Sequence, residues 1–288
     1  MNFQDLLKEN KVVLLDGAMG TELAKRGLER PNAYNLSNPD CVLEIHRAYI
    51  EAGAQALITN TFTMNRINLQ VHGLDVDVKE VNLAGAKLAR QAAGKGKLVF
   101  GDISPTGQLL KPYGDYSKKE FYDSFREQAE ALVRGGVDGL IIETMFDLQE
   151  TICALEAIKD ITNLPVLVSM AFLEISQGGR TLMGHTVKET VRIAEEYGVD
   201  AVGANCGELD PIEMAEIAKQ FRSETSLPVI VQPNAGKPVM QNNQTVFEMK
   251  PKEFADGILK CIDSGANIIG GCCGTGPDHI RQIAQRLH

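Results

Sequence analysis

Short continuous runs of apolar, mostly β-branched residues recur along the chain and alternate with longer amphipathic segments. Runs of this kind, without polar alternation, are typical of strands that are buried on both faces of a parallel sheet. Eight such runs are predicted to be strands, at residues 12–15, 56–61, 98–103, 139–144, 166–171, 201–205, 229–233 and 267–270.

The segments between these runs have the spacing of helices. Residues 119–135 place Phe121, Phe125 and Ala129 on one face, which is the period of a helix. Thr186 with Glu189 forms a capping box, and Pro211 after Asp210 is a helix start with proline at its first position. Eight strands alternating with helices predict a single (β/α)₈ TIM barrel domain spanning residues 1–288. A doubly wound open sheet is the alternative, but its glycine-rich first-turn fingerprint is missing.

Polar residues follow the ends of the predicted strands. Active sites of (β/α)₈ barrels lie where the strands end, so these side chains are expected to converge on one face. They are Asp16, Asn60, Thr61, Asp102, Glu143, Thr144, Asn205, Cys206, Asn234, Cys272 and Cys273.

Three cysteines, Cys206, Cys272 and Cys273, directly follow predicted strands, and the last two lie between glycines. Three protein ligands with one open position are typical of catalytic zinc, and thiolates favour zinc over magnesium or calcium. Buried free thiols, or a disulfide between the adjacent pair, are the alternatives. The other cysteines, Cys41, Cys153 and Cys261, lie in apparently helical stretches and are predicted to pack in the core.

Composition excludes some classes of partner. The formal net charge is −9 and the pI is near 5.2, which argues against nucleic acid and anionic membrane surfaces. We find no signal peptide and no apolar run of the ~18 residues that a membrane span needs. Reactive thiolates and few cysteines suit a reducing compartment, so a cytoplasmic location is expected.

Several motifs resemble the homocysteine S-methyltransferase family, and most closely the homocysteine-binding barrel of the cobalamin-dependent methionine synthases. The motifs are LLDGAMGTE at 14–22, NTF at 60–62, GDISPTG at 101–107, GANCG at 203–207, QPNAGKP at 232–238 and GGCCGT at 270–275. The resemblance covers essentially the whole chain. It implies a zinc-dependent enzyme that methylates homocysteine to methionine, with Cys206, Cys272 and Cys273 as zinc ligands and catalytic residues.

An amino-acid substrate carries an ammonium and a carboxylate. Asp16 and Glu143 are expected to pair with the ammonium, and backbone N–H groups in the turn Gly17-Ala18-Met19-Gly20 with the carboxylate. Asn60, within its motif, is also expected to bind substrate. Asn234 either supplies an oxygen to the open metal position or shapes its loop by a hydrogen bond.

Asp102 has two possible roles as well. It either binds substrate or anchors the turn at Ser104 and Pro105.

The resemblance implies methylcobalamin on a methyl-corrinoid protein as the methyl donor, and since the sequence stops after the predicted barrel, this carrier is expected to be a separate protein. The segments 174–185 and 238–250 leave the barrel mouth and are the expected contacts with that protein. Direct use of betaine or S-methylmethionine, another small thiol as acceptor, and a non-catalytic zinc- or thiol-binding subunit are the alternatives.

Overall fold

The computed structural model describes residues 2–28, 34–175, 178–241 and 244–287. Its centre is one sheet of eight parallel strands in the order β1-β12-β9-β8-β5-β4-β3-β2. These strands are β1 (Val13–Leu14), β2 (Ala56–Ile58), β3 (Leu98–Ile103), β4 (Gly139–Met145), β5 (Val166–Met170), β8 (Ala201–Asn205), β9 (Val229–Gln232) and β12 (Ile268–Ile269).

Helices follow the strands and pack outside them. The described helices are α1 (Phe3–Glu9), α2 (Met19–Ala24), α3 (Tyr34–Ser37), α4 (Pro39–Glu51), α5 (Arg66–Val71), α6 (Val78–Ala93), α7 (Lys118–Arg134), α8 (Leu148–Lys159), α9 (Val187–Glu196), α10 (Pro211–Glu224), α11 (Pro251–Asp263) and α12 (Pro277–Leu287). Thr186 and Asp210 begin α9 and α10 with capping boxes, as the sequence predicted. All eight predicted strands are confirmed, with ends that differ by up to three residues.

The sheet curves into a nearly closed barrel. The two outermost strands, β1 and β2, are bridged by Gln55, whose backbone N–H donates to Leu14 O at 2.7 Å and whose Oε1 accepts from Leu14 N–H at 2.9 Å. The fold is therefore a (β/α)₈ barrel, and the doubly wound alternative is wrong.

The barrel interior is filled by alternate residues of the strands. Val13, Leu98, Phe100 and Ile141 belong to an inner apolar cluster that is separate from the larger cluster under the helices. Helix α1 closes the end where the strands begin. Its Phe3 ring meets Phe100 edge-to-face, with centroids 5.5 Å apart.

The same alternation changes from apolar to polar at the other end of the barrel. Side chains two residues apart in a strand share a face, so Asp102 follows Phe100 inward and Glu143 follows Ile141 inward. Because α1 occupies the opposite end, the polar end is the one left for a site.

Two antiparallel hairpins extend from the connections after β5 and β9. One pairs β6 (Phe172–Glu174) with β7 (Arg180–Thr181), and the other pairs β10 (Val239–Gln241) with β11 (Gln244–Val246). They occupy the two segments that the sequence singled out as donor contacts. Residues 176–177 and 242–243 of those segments lie outside the described residues.

Across the described part of the chain, no helix combines the length and the apolar character that crossing a bilayer requires.

Candidate active site and metal centre

A cavity of about 190 Å³ opens where the strands end. Its lining includes five of the six residues that the sequence proposed for substrate binding, together with all three of the strand-end cysteines. The residues that line it are Asp16–Thr21, Ile58, Thr59, Asn60, Phe62, Asp102, Glu143, Thr144, Cys206, Gln232, Gly271, Cys272 and Cys273. Among the described residues, its lining contains no Lys, Arg or His.

The three sulfur atoms of Cys206, Cys272 and Cys273 form one cluster. All lie within 4.8 Å of one another, and the Cys206 and Cys273 Sγ atoms are 3.9 Å apart. Hydrogen bonds from the Cys206 and Cys272 thiols lower the pKa of the Cys273 thiol to about 4. This cluster is the only group of three potential metal ligands found in the described residues.

The backbone at Cys206 is bent so that its thiol reaches the cluster. Cys206 has φ of 55° and Gly207 has φ of 67°, both in the left-handed region that only glycine adopts without strain. A Cβ on Gly207 would lie 2.0 Å from the Phe172 carbonyl oxygen. Backbone strain of this kind concentrates at functional sites.

The loop that carries Cys272 and Cys273 is bonded to the two neighbouring strand ends. Cys272 N–H donates to Pro233 O at 2.9 Å, and Cys273 O accepts from Ala235 N–H at 2.9 Å. Thr275 Oγ1 donates to Cys272 O at 2.7 Å and accepts from Ala18 N–H at 3.1 Å. The two sulfurs are therefore fixed by backbone contacts on both sides.

Three carboxyl groups line the same cavity, and all are buried. Desolvation raises the pKa of Asp16 and of Asp102 well above their usual range, and the charge of Glu143 adds to both effects. Burial and the nearby Cys206 thiol raise the pKa of Glu143 to about 8. The cavity is therefore suited to a positively charged group.

Asn205 connects the thiols to the carboxyl groups, and the sequence analysis did not assign it a role. Its Oδ1 accepts from Thr144 N–H at 2.8 Å and from Ser169 Oγ at 2.7 Å. Its Nδ2 donates to Thr144 Oγ1 at 2.7 Å. The same nitrogen lies 3.4 Å from Glu143 Oε2 and 3.9 Å from Cys272 Sγ. Its position at the end of β8, next to Cys206, was the available signal.

The remaining candidate residues have defined positions. Asn60 lines the cavity, and its Nδ2 donates to Asn35 Oδ1 at 3.0 Å. Asn234 is outside the cavity lining, and its Nδ2 donates to Gly207 O at 2.9 Å while its buried Oδ1 has no partner in the described structure. The Nδ2 contact matches the loop-shaping alternative for Asn234, while the unpartnered Oδ1 is compatible with the other alternative, an oxygen at the open metal position.

The other three cysteines lie away from the cluster. Cys153 and Cys261 are buried in helices, as predicted, whereas Cys41 is only half-buried.

The sulfur cluster has the dimensions of a tetrahedral zinc site. A zinc–sulfur bond of ~2.3 Å places tetrahedral ligands about 3.8 Å apart, and the Cys206 and Cys273 sulfurs are 3.9 Å apart. Three thiols also have the chemistry of a thiophilic metal site. The residues present therefore fit zinc.

Residues 13–287 match the family model for homocysteine S-methyltransferase. The chain belongs to the homocysteine S-methyltransferase family.

Curated relatives include the methionine synthases of Mycobacterium leprae (strain TN) and Mycobacterium tuberculosis (strain ATCC 25618 / H37Rv). Each is 33% identical over 97% of this chain. The chain spans about a quarter of the length of these relatives, 25% in each case.

Solved structures share the fold of this chain, and one of them is a homocysteine methyltransferase. The metallated form of the homocysteine methyltransferase MmuM from Escherichia coli is 26% identical, with a TM-score of 0.81 over 98% of this chain and 99% of that one. The carboxyl transferase domain of Rhizobium etli pyruvate carboxylase, at 15% identity and a TM-score of 0.57 over 99% of this chain and 50% of that one, shares the fold alone.

The position of Asn205 predicts a stability effect. Replacing Asn205 by Ala removes the acceptor of the Thr144 N–H and the Ser169 hydroxyl. Leaving buried donors unsatisfied should lower the free energy of unfolding by about 2–4 kcal/mol, measurable by urea denaturation. Ser223→Ala, which removes an exposed hydroxyl bond to Gln220 O, should change it by less than about 0.5 kcal/mol. Equal effects of the two variants would contradict the role of Asn205.

Proposed function

We propose that this chain transfers a methyl group to the thiol sulfur of homocysteine, forming methionine, with zinc held by Cys206, Cys272 and Cys273. The observation that carries the proposal is the convergence of these three thiols with three carboxyl groups in one cavity. A thiol-binding metal and an ammonium-binding group are what an aminothiol substrate needs at its two ends. Family membership supports the same reaction class.

Zinc, when bound, supplies a positive centre that deprotonates a coordinating thiol and holds its sulfur in place. The chain's contribution is three thiolate ligands on rigid strand ends. With zinc bound, three thiolates around the divalent ion would give a net charge of −1. This charge would leave the homocysteine thiolate electron-rich enough to attack the methyl carbon of the donor, whose atom would keep the electron pair of the donor–methyl bond that breaks.

The carboxyl groups orient the substrate. Asp16 Oδ2 accepts a hydrogen bond from Ile58 N–H at 2.9 Å. Glu143 lies beside Asn205, near the end of β4. Both are buried, and a buried carboxylate is stable only when it is paired. A substrate ammonium supplies the missing positive partner and places the thiol towards the sulfur cluster.

The start of α2 is the proposed carboxylate site. The first N–H groups of a helix have no partner within the helix, and Met19 and Gly20, the first two residues of α2, line the cavity. Ala18 N–H, one of the expected donors, already donates to Thr275 Oγ1. Met19 and Gly20, from the same expected turn, therefore remain as the proposed donors.

A second opening, of about 440 Å³, adjoins Cys206 and is mainly apolar. Phe62, Phe146, Leu173 and Leu182 line it, and Leu182 is 64% exposed. We propose this opening as the approach for a methyl-corrinoid donor on a partner protein, since a large donor needs an apolar surface beside the sulfur cluster. Phe172–Glu174 and Arg180–Thr181 form the hairpin next to it. Betaine or S-methylmethionine as direct donor is the alternative.

Metal analysis tests the ligand set. Cys206→Ala, Cys272→Ala and Cys273→Ala should each lose zinc, because the two remaining thiolates, with two positions open, hold it weakly. Cys153→Ala, which removes a buried thiol elsewhere, should keep one zinc per chain. Full zinc content in Cys272→Ala would contradict the assignment.

The ammonium contact has its own test. Glu143→Gln should weaken homocysteine binding by about 30- to 1,000-fold, since loss of one charged partner of a desolvated ammonium costs about 2–4 kcal/mol. Zinc content should stay at one per chain. Glu208→Gln, in the lining of the second opening and outside that of the substrate cavity, is the matched control. An unchanged dissociation constant for Glu143→Gln would show that Glu143 does not contact the ammonium.

The reaction and its donor are tested in one assay. The zinc-loaded chain is incubated with homocysteine and, separately, methylcobalamin, betaine or S-methylmethionine, and methionine is measured. We expect slow turnover with free methylcobalamin, which lacks the orientation that docking supplies. Turnover with only betaine or S-methylmethionine would show that one of these, and not a methyl-corrinoid protein, is the methyl donor. No turnover with any donor, despite tight zinc and homocysteine binding, would favour the non-catalytic binding subunit.

A further inference from the structure

Asp102 is a buried carboxyl group in the cavity that the proposed roles of Asp16 and Glu143 leave unused. It is 2% exposed and lines the cavity. Its Oδ1 atom has no hydrogen-bond partner within the described residues. A buried carboxyl group that lacks a full set of partners is costly, and this one also lines the cavity, so the two observations together indicate a ligand contact.

The backbone of Asp102, and not its side chain, secures the adjoining turn. Asp102 N–H donates to Thr59 Oγ1 at 2.9 Å, and Asp102 O accepts from Thr61 Oγ1 at 2.8 Å. Ser104 Oγ, in the turn itself, accepts from Thr63 N–H at 2.7 Å. The side chain of Asp102 is therefore not needed for the turn, which was the alternative explanation for its presence.

Each of the three carboxyl groups in the cavity has an oxygen that is available to a ligand. Asp16 has one oxygen engaged by Ile58 N–H, and Glu143 has one beside Asn205 Nδ2. Each therefore keeps a second oxygen for a ligand, and the carboxyl group of Asp102, which lines the same cavity, supplies a further acceptor. A primary ammonium group has three N–H donors, which is one for each carboxyl group.

We propose that Asp102 is a specificity-determining residue that accepts the third N–H of the substrate's primary ammonium group. The inference rests on the proposed function and adds that the site selects thiols with an unsubstituted α-amino group. Thiols without an ammonium group leave three buried carboxyl groups unpaired and bind weakly.

The electrostatics of the cavity support this role. Burial, followed by the charges of Glu143 and Asp16, raises the pKa of Asp102 well above its usual range. The lining that the structure describes offers no basic side chain to compensate. A cation that enters the cavity is therefore the counter-charge that all three carboxyl groups lack.

Calorimetric titration of the zinc-loaded protein with two ligands tests the inference. L-Homocysteine carries the ammonium group, and 4-sulfanylbutanoic acid is the same molecule without it. Asp102→Asn keeps the side-chain shape but replaces an acceptor oxygen by an amide donor. It should weaken homocysteine binding by about 10- to 100-fold and change the affinity for 4-sulfanylbutanoic acid by less than about threefold. A merely structural role would weaken both ligands equally.

Glu150→Gln is the matched control, because Glu150 is also a buried carboxyl with an unpartnered oxygen but lies outside the cavity lining. It should bind both ligands like the unsubstituted protein. Asp102→Ala, checked for zinc content and thermal unfolding, serves as a second variant if Asp102→Asn does not fold.

The possible results separate the two proposals. Unchanged homocysteine affinity in a folded Asp102 variant, or equal loss for both ligands, would overturn the role of Asp102 and leave the proposed function standing. If the unsubstituted zinc-loaded protein does not bind homocysteine, both the proposed function and this inference are wrong.

Discussion

The cost of ionising a buried cluster of acidic groups at the barrel mouth is the constraint on which the rest of the site depends. Three thiols and three carboxyl groups line one cavity, and no basic side chain accompanies them in the part of the chain that the structure describes. Burial penalises every ionised group among them. The arrangement is stable in its charged form only when cations occupy it. We infer that a metal ion satisfies the sulfur side and a substrate ammonium the carboxyl side.

The barrel supplies the precision that this arrangement needs. Helix α1 fills the end of the barrel where the strands begin. The acidic groups lie at the other end, on strands that are buried on both faces. Asn205 links the sulfur side and the carboxyl side of the site, since one amide nitrogen lies 3.4 Å from Glu143 Oε2 and 3.9 Å from Cys272 Sγ. Positive φ angles at Thr144 and Cys206 are the local cost of aiming these side chains inward.

Much of the fold, and part of the candidate site, could be predicted from the sequence. Continuous apolar runs predicted all eight barrel strands, because a buried parallel strand has no polar face. The strand-end rule then brought Asp16, Glu143 and the three cysteines to one face, where the structure places them. The bonding of Asn205 was not predictable, because it depends on the backbone turn at Thr144 that periodicity does not report. The ambiguity over Asp102 also needed coordinates, since only they show that the turn is held by its backbone.

Zinc K-edge X-ray absorption of the metal-loaded chain, recorded without and with L-homocysteine, tests the central claim most directly. The account predicts three sulfur neighbours at ~2.3 Å and one lighter neighbour in the first spectrum, and four sulfurs in the second. Fewer than three sulfurs without substrate, or no added sulfur with homocysteine present at saturation, would contradict it.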